Sequence, residues 1–206
     1  MARSNQPRYT PEATIGPFFP GVFGEAGAKH AALISPLLWH RPEGQLVQIS
    51  GRFLDADGKG VRSVILEIWQ ADGAGRYRHP LTPEPGLVDP QFDGFARLRS
   101  DAAGGYRLTT IRPGAYATRP GGANRRAPHL RFTIFASGID RLVTEMFFED
   151  DADNAADPLL QSLDASMRRR LIARRRPSED RDGTIAYGFD VVMRGETETP
   201  FLDDWS

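Results

Sequence analysis

Short runs of alternating apolar and polar residues recur along the chain from residue 47 onwards. In the first run, Val47, Ile49 and Phe53 share one face, while Gln48 and Arg52 lie on the other. Because successive side chains of a strand point to opposite faces, this alternation predicts a half-buried β-strand. Further runs predict strands over residues 64–69, 95–100, 106–111, 129–136, 142–148 and 185–193.

Turn-forming segments separate these runs and indicate the fold class. The aspartate- and glycine-rich segments 55–60 and 101–105 each link two strands, which predicts two hairpin-like units in series. Helix signals are strong only once, where Asp157 can cap, Pro158 suits the first turn, and apolar residues recur at intervals of three and four up to Leu171. We expect an all-β fold, a β-sandwich of two mixed sheets with one short helix after the core strands.

A single domain with an extended N-terminal arm is expected. The 206 residues suit one β-sandwich, and no shift in composition marks a second domain. Residues 1–45 are rich in proline and glycine, which favours an extended arm over regular elements.

Composition narrows the classes of function. The 26 basic and 27 acidic side chains leave a formal charge of −1, so no overall field attracts nucleic acid or anionic lipid. Cysteine is absent, which excludes disulfides and thiolate metal sites. No apolar run approaches the length of a membrane span, and the first residues lack the apolar core of a signal peptide, so we expect a soluble cytoplasmic protein.

Six arginines crowd the segment from Arg168 to Arg176. Acidic residues precede them between positions 149 and 157, and no aromatic residue is interleaved with them to stack on a base. This composition favours a solvated helix face or a salt-bridging subunit contact over nucleic-acid binding.

Candidate metal ligands are limited to oxygen and nitrogen donors. His129 and Arg131 are two residues apart on a predicted strand, so both side chains leave the same face. Two histidines at this spacing could bind a metal, but a guanidinium has no available lone pair and keeps its charge. Tyr116 follows a Pro-Gly turn and could fold back towards His129. These residues supply two ligands, which is short of a stable site.

Three segments, residues 67–79, 112–116 and 126–132, resemble the intradiol ring-cleavage dioxygenases. The most specific is the string EIWQADGAGRY from Glu67 to Tyr77, and the resemblance extends from Thr14 to Asp190. It implies a β-sandwich core, a ferric ion and the oxygen-dependent cleavage of a catechol between its two hydroxyls.

The resemblance also implies a ligand set, which this chain holds only in part. Iron-bearing members hold Fe(III) with two tyrosinates and two histidines, and anionic phenolates suit this metal. Tyr116 stands at the second tyrosine position and His129 at the first histidine position, whereas Arg131 replaces the second histidine and residues 80–94 lack the first tyrosine. The resemblance therefore implies an iron-free subunit, with Tyr116 and His129 as remnants. Its partner would be a homologous chain that binds the Fe(III), in a higher-order oligomer.

Other residues receive roles from the same resemblance. Thr14, Gly16 and Pro17 of the arm would line part of the partner's substrate pocket; the alternative is that the arm wraps its own domain. Arg126 matches the arginine that precedes the first histidine ligand of the iron chain, and an ordinary structural ion pair is its alternative role. Tyr77 would lie beside the site.

Two rival hypotheses remain open. Tyr77, His79, Tyr116 and His129 also total two tyrosines and two histidines, which allows a self-sufficient ferric site shifted within this chain. The other rival is a non-enzymatic β-sandwich that binds a ligand or scaffolds a complex, since a fold does not dictate chemistry.

Overall fold

The computed structural model describes residues 43–79, 88–118, 122, 124–136 and 140–202. Thr14, Gly16 and Pro17, for which a pocket role is predicted, lie outside the described residues. Residues 80–87, which are part of the segment without tyrosine, also lie outside them. Those expectations stay predictions. Among the described residues, no helix is both long and apolar enough to span a bilayer.

Eleven strands and two short helices form the described part of the chain. The strands are β1 (Leu46–Leu54), β2 (Ile65–Trp69), β3 (Phe95–Arg99), β4 (Gly105–Ile111), β5 (Tyr116–Ala117), β6 (Arg125–Arg126), β7 (His129–Ala136), β8 (Asp140–Phe148), β9 (Ile172–Arg175), β10 (Ile185–Gly188) and β11 (Val191–Val192). The helices are α1 (Pro158–Ser162) and α2 (Ala165–Arg170).

The strands form a sandwich of mixed sheets, which confirms the predicted fold class. One layer contains β3, β2, β7 and β8 in that order, and the other contains β4, β1, β10 and β11. Strand β9 joins the layers, because it pairs parallel to β8 and antiparallel to β10. Strand β1 is parallel to β10 but antiparallel to β4. A separate two-stranded sheet pairs β5 with β6.

The two predicted hairpin-like units are wrong in their pairing. Strand β1 pairs with β4, β10 and β11 rather than with β2, and β3 pairs with β2 rather than with β4. The turns themselves form, since Asp55 and Asp101 each accept hydrogen bonds from two backbone amides. Apart from Glu67, strand β2 is apolar on both faces, which is typical of a central strand, and β3 and β7 pair with its two edges. Each turn therefore carries the chain from one layer to the other.

Strands β5, β6 and β9 were not predicted, and two of the other differences from the expected boundaries are explained by an aspartate. The helix begins as predicted, with Asp157 as its cap, but Asp164 caps a second helix by accepting from the amides of Ser166 and Met167. The predicted strand 185–193 is divided because the side chain of Asp190 accepts the amide hydrogen of Arg52 at 2.8 Å.

The core fills the space between the layers. Leu66 and Phe132 from one layer and Ile49 and Leu108 from the other are fully buried in one hydrophobic cluster. The rings of Tyr106 and Phe132 meet edge to face across the layers, 6.2 Å apart. Because side chains alternate along each strand, the residues between these positions point to the outer faces, where the candidate site lies.

Candidate functional site

Strand β7 divides its side chains between the core and the outer face of its layer. Leu130 and Phe132 are fully buried in the core, so His129 and Arg131 project from the opposite face, as the sequence predicts. His129 is only 3% exposed because other elements cover it, whereas one third of the Arg131 side chain is exposed. The two side chains thus share a face but not an environment.

Two tight loops bring Tyr77 and Tyr116 to His129. The ring centroid of Tyr116 lies 5.3 Å from that of Tyr77 and 5.7 Å from that of His129. The close approach requires glycine, because a Cβ atom on Gly75, whose φ is +81°, would lie 2.4 Å from the carbonyl oxygen of Ala115. Three residues that the sequence singled out therefore come together.

Buried polar residues of the motif from Glu67 to Tyr77 hold the first of these loops. The Gln70 amide nitrogen donates to the carbonyl of Ile111 at 3.0 Å, which ties the end of β2 to the end of β4. Asp72 accepts the amide of Arg76 at 2.9 Å and its side-chain Nε at 3.1 Å. The most recognisable residues of the motif thus form the scaffold that positions Tyr77.

Glu145 is the electrostatic centre of the site. It lies on β8 opposite Arg131, and its side chain is 4% exposed. Arg126 donates to its Oε2 atom, while Arg131 Nη1 and His129 Nε2 each lie 3.8 Å from its Oε1 atom. A buried carboxylate is stable only when positive partners compensate it, and two arginines do so here.

Asp157 is the second buried carboxylate of the site and is fully buried. Its Oδ2 atom accepts from Arg126 Nε and from the amide of Ala127, both at 2.9 Å, while its Oδ1 atom caps α1. Burial would lower the pKa of Arg126, but Glu145 and Asp157 outweigh it and raise that pKa. Arg126 therefore forms ion pairs with two buried carboxylates. This is the structural role that was the alternative expectation for this residue.

Burial keeps the three converging rings neutral. It raises the pKa of Tyr77 well above the usual value, and a hydrogen bond with Tyr116 adds to this effect. Burial also raises the pKa of Tyr116 and lowers the pKa of His129. His129 Nδ1 donates to the carbonyl of Ala127 at 2.7 Å, which leaves Nε2 as the nitrogen that faces Glu145.

This donor set does not fit the ferric centre that the resemblance implies. Tyr116 and His129 offer two donors, but Arg131 places a permanent cation on their face of the sheet. Glu145, the carboxylate that faces them, is already shared by two arginines. Within the described ranges, no group of three or more His, Cys, Asp or Glu residues is placed to hold a metal.

The shifted ferric site is assembled in part. Tyr77, Tyr116 and His129 converge, as that hypothesis requires. His79 is exposed and packs edge-on against Trp69, with ring centroids 6.3 Å apart. His79, the fourth residue of that hypothesis, therefore packs against a tryptophan at the protein surface.

Sequence reasoning did not predict the role of Glu145, nor that Asp157 pairs with Arg126 in addition to capping α1. Glu145 is a charged residue between Thr144 and Met146 in a strand that is otherwise largely apolar, which is a signal for a buried ion pair. Its partner could not be read from the sequence, because the pairing with Arg131 depends on the register of β7 and β8.

The mixed β-sandwich, with Tyr116 and His129 close together on the outer side of one layer, is consistent with the intradiol-type dioxygenases. The family model described as Dioxygenase (Dioxygenase_C) matches residues 18–195. The chain belongs to the intradiol ring-cleavage dioxygenase family.

Both chains of protocatechuate 3,4-dioxygenase from Burkholderia cepacia are similar to this chain. The alpha chain is 34% identical over 205 residues, which cover 95% of this chain and 98% of the alpha chain. The beta chain is 40% identical over 161 residues, which cover 77% of this chain and 68% of the beta chain. Among solved structures, 3-chlorocatechol 1,2-dioxygenase from Rhodococcus opacus 1CP supports the fold, with a TM-score of 0.62, 22% identity and coverage of 88% and 70%. The chain is thus homologous to an alpha chain over nearly its whole length.

Proposed function

We propose that this chain is the iron-free, alpha-type subunit of a protocatechuate 3,4-dioxygenase. A homologous beta-type chain holds the Fe(III), and the assembled enzyme cleaves protocatechuate with O2 between its two hydroxyls to give 3-carboxy-cis,cis-muconate. The observation that carries this proposal is Arg131, which takes a ligand position and pairs with the buried Glu145. Homology to the alpha chain over 95% of this chain supports it.

The residues of this chain have a structural role at the remnant site. In the partner, the ferric ion supplies Lewis acidity towards the bound catecholate. In this chain, Arg126 and Arg131 provide fixed positive charges, and Glu145 and Asp157 balance them. Together these side chains tie β6, β7, β8 and α1 to one another.

The outer face of the layer that carries the site supports a role as a subunit. Strand register places Phe95, Trp69 and Arg131 in one row across β3, β2 and β7. Phe95 is 36% and Trp69 is 37% exposed, and surface aromatics of this size are typical anchors of protein interfaces. We propose that the partner chain covers this row. We also propose, from the resemblance alone, that Thr14, Gly16 and Pro17 line part of the partner's pocket.

The site is tested with Tyr116→Phe, a change that keeps the ring and removes only the hydroxyl. The chain is produced together with an iron-bearing beta-type chain, and the iron content, the visible tyrosinate-to-iron band and oxygen uptake with protocatechuate are measured. We expect wild type and variant complexes to agree within about twofold, because no ligand to iron is removed. Loss of iron and colour in the variant, or a coloured stoichiometric iron in the isolated wild-type chain, would establish the shifted site of Tyr77, His79, Tyr116 and His129 instead.

The subunit interface is tested by a matched pair of surface changes. Phe95→Ser removes an aromatic from the row, and Met167→Ser removes an equally exposed apolar side chain from α2. We expect Phe95→Ser to weaken association with the beta-type chain by about tenfold or more, which is usual for a central aromatic anchor. Met167→Ser is expected to leave it unchanged. Equal effects would remove this row from the interface.

The pocket role of the arm is tested at Gly16. Replacing it with a bulky residue should lower turnover of the assembled enzyme while assembly is retained. Unchanged turnover in a complex that assembles normally would show that the arm lies outside the pocket and wraps its own domain.

A further inference from the structure

An arginine-lined groove runs along the other layer of the sandwich. Its larger part, about 940 Å³, lies over β1 and β4, reaches Leu98 and Arg99 of β3 at the edge of the first layer, and extends to the turn after Pro177–Glu179. A smaller part of about 250 Å³ continues to α2 and β9, and the two share Arg176 and Asp190. Eight arginines but only three acidic residues line the two parts together. This surface, called the arginine groove below, is strongly basic in a chain whose formal charge is −1.

Several of these arginines donate hydrogen bonds to neutral oxygen atoms. Arg52 donates to the carbonyl of Ala103, and Arg181 donates to the carbonyls of Ser178 and Asp180. Arg99 donates to the hydroxyl of Ser63. Within the part of the chain that the structure describes, Arg52 and Arg99 have no carboxylate at ion-pair distance, whereas Asp180 lies near Arg181 and lowers its net contribution.

The floor of the groove is shaped for a guanidinium. Arg176 lies flat on Gly188, where a Cβ atom would stand 2.1 Å from Arg176 Nε. Only a residue without a side chain leaves this space, so the glycine fixes the arginine against the sheet. Arg176 Nη1 lies 3.4 Å from both Ser50 Oγ and Glu179 Oε1, which are long contacts that leave capacity for a better acceptor.

The acidic residues of the groove argue for a protein ligand rather than a nucleic acid. Asp101 and Asp190 are held in place by backbone amides, so they present fixed negative charges between the arginines. A phosphodiester chain carries a negative charge at every repeat and would be repelled at these points, whereas a peptide can place neutral residues opposite them. The aromatic ring in the groove, Tyr106, is buried and donates to the carbonyl of Phe189, so it cannot stack on a base. Alternating charge of this kind is typical of protein interfaces, where it fixes register.

We infer that the arginine groove is a docking site for an acidic segment of another protein chain, whose Asp and Glu carboxylates pair with Arg52, Arg99, Arg107 and Arg181. Bidentate pairing with carboxylates is the contact for which guanidinium groups are best suited. The site also gives a role to the Arg168–Arg176 segment, because four of its arginines, Arg169, Arg170, Arg174 and Arg176, line the groove. This inference does not depend on the assignment of the iron.

The test uses the full chain and a fluorescent peptide in which glutamate alternates with serine, with binding followed by anisotropy at low and at physiological salt. The double variant Arg107→Glu/Arg181→Glu changes two exposed groove residues. We expect it to weaken peptide binding by about tenfold or more, and to reduce the salt dependence. The control Arg125→Glu changes an arginine that is equally exposed and bound to the carbonyl of Ala115, but lies on β6. It is expected to bind as wild type does.

Three outcomes would overturn the inference. The first is that the wild-type chain does not bind the peptide, and the second is that Arg125→Glu weakens binding as much as the double variant. The third is that an oligothymidylate or phosphatidylserine vesicles bind through the same two arginines more tightly than the peptide does. Circular dichroism checks that each variant is folded, and Arg107→Gln/Arg181→Gln replaces the double reversal if that variant unfolds.

Discussion

The contribution of the buried ion pairs around Arg126 to the stability of the fold can be measured most directly at Asp157. Asp157→Ala removes the cap of α1, the acceptor for the Ala127 amide and one of the two carboxylates around Arg126. Breaking one side of a buried ion pair costs about 3–5 kcal/mol. Because Arg126 keeps Glu145 and is 16% exposed, the lower end applies, and loss of the cap adds about 1 kcal/mol. We expect a total near 4 kcal/mol, or a fall in Tm of roughly 10 °C for a domain of this size.

The measurement is urea unfolding followed by circular dichroism and tryptophan fluorescence, and the chain supplies its own control. Asp164 caps α2 in the same way but is exposed and pairs with no buried arginine, so Asp164→Ala should cost only a small fraction of the loss. The double variant Asp157→Ala/Arg126→Met should be less destabilised than the two single variants added together, because the interaction between Asp157 and Arg126 is counted in both single losses but is lost only once. Equal losses at Asp157 and Asp164, or strict additivity, would refute the reasoning.

Three further changes probe the scaffold. Gly51→Ala places a Cβ atom 1.8 Å from the carbonyl oxygen of Phe189, so we expect a loss of roughly 3 kcal/mol or more in thermal unfolding; Gly58→Ala has open space around it but a φ of +76°, so it should lose less, about 1 kcal/mol. Arg112→Met removes ion pairs to Asp150 and Asp151, both at 2.9 Å, and should cost about 2 kcal/mol in urea. Burial opposes ionisation of Asp150, but hydrogen bonds from Arg112 and a tyrosine hydroxyl outweigh it and lower its pKa. Its stabilising effect is therefore present above about pH 4 and is lost as the pH falls through the lowered pKa; Arg112→Met should flatten this acid dependence, and an unchanged pH profile would contradict the assignment.

Local alternation was enough to predict the face on which the remnant site lies. The order Leu130, Arg131, Phe132 within a strand settles which side chains enter the core, because both apolar residues must be buried together. It did not predict the partners of β1 and β2, since an aspartate turn closes by the same local hydrogen bonds whether the next strand pairs beside it or crosses to the other layer.

Long-range ion pairs were the part of the site that the sequence could not supply. Arg126 meets Asp157 across 31 positions and Glu145 across 19, and each meeting depends on strand register and on the position of α1. The partners of the arginines between Arg168 and Arg176 were equally impossible to predict from the sequence. Arg174 pairs with Glu149, and Arg175 pairs with Asp180. Which arginines of the segment face the groove depends on the pairing of β9 with β10.

Charge balance offers a physical account of Arg131, which stands where the resemblance implies a histidine ligand. A ferric ion with two tyrosinates carries one net positive charge, and this is also the charge of one guanidinium. Arg131 therefore presents the surrounding carboxylates with the same charge as such a centre. Glu145 and Asp157 stay compensated, and neutral Tyr116 and His129 remain as packed rings. By this reasoning Arg131→His alone would not rebuild a metal site. The change would remove the guanidinium charge, and it would not supply the first tyrosine ligand that the resemblance implies within residues 80–94.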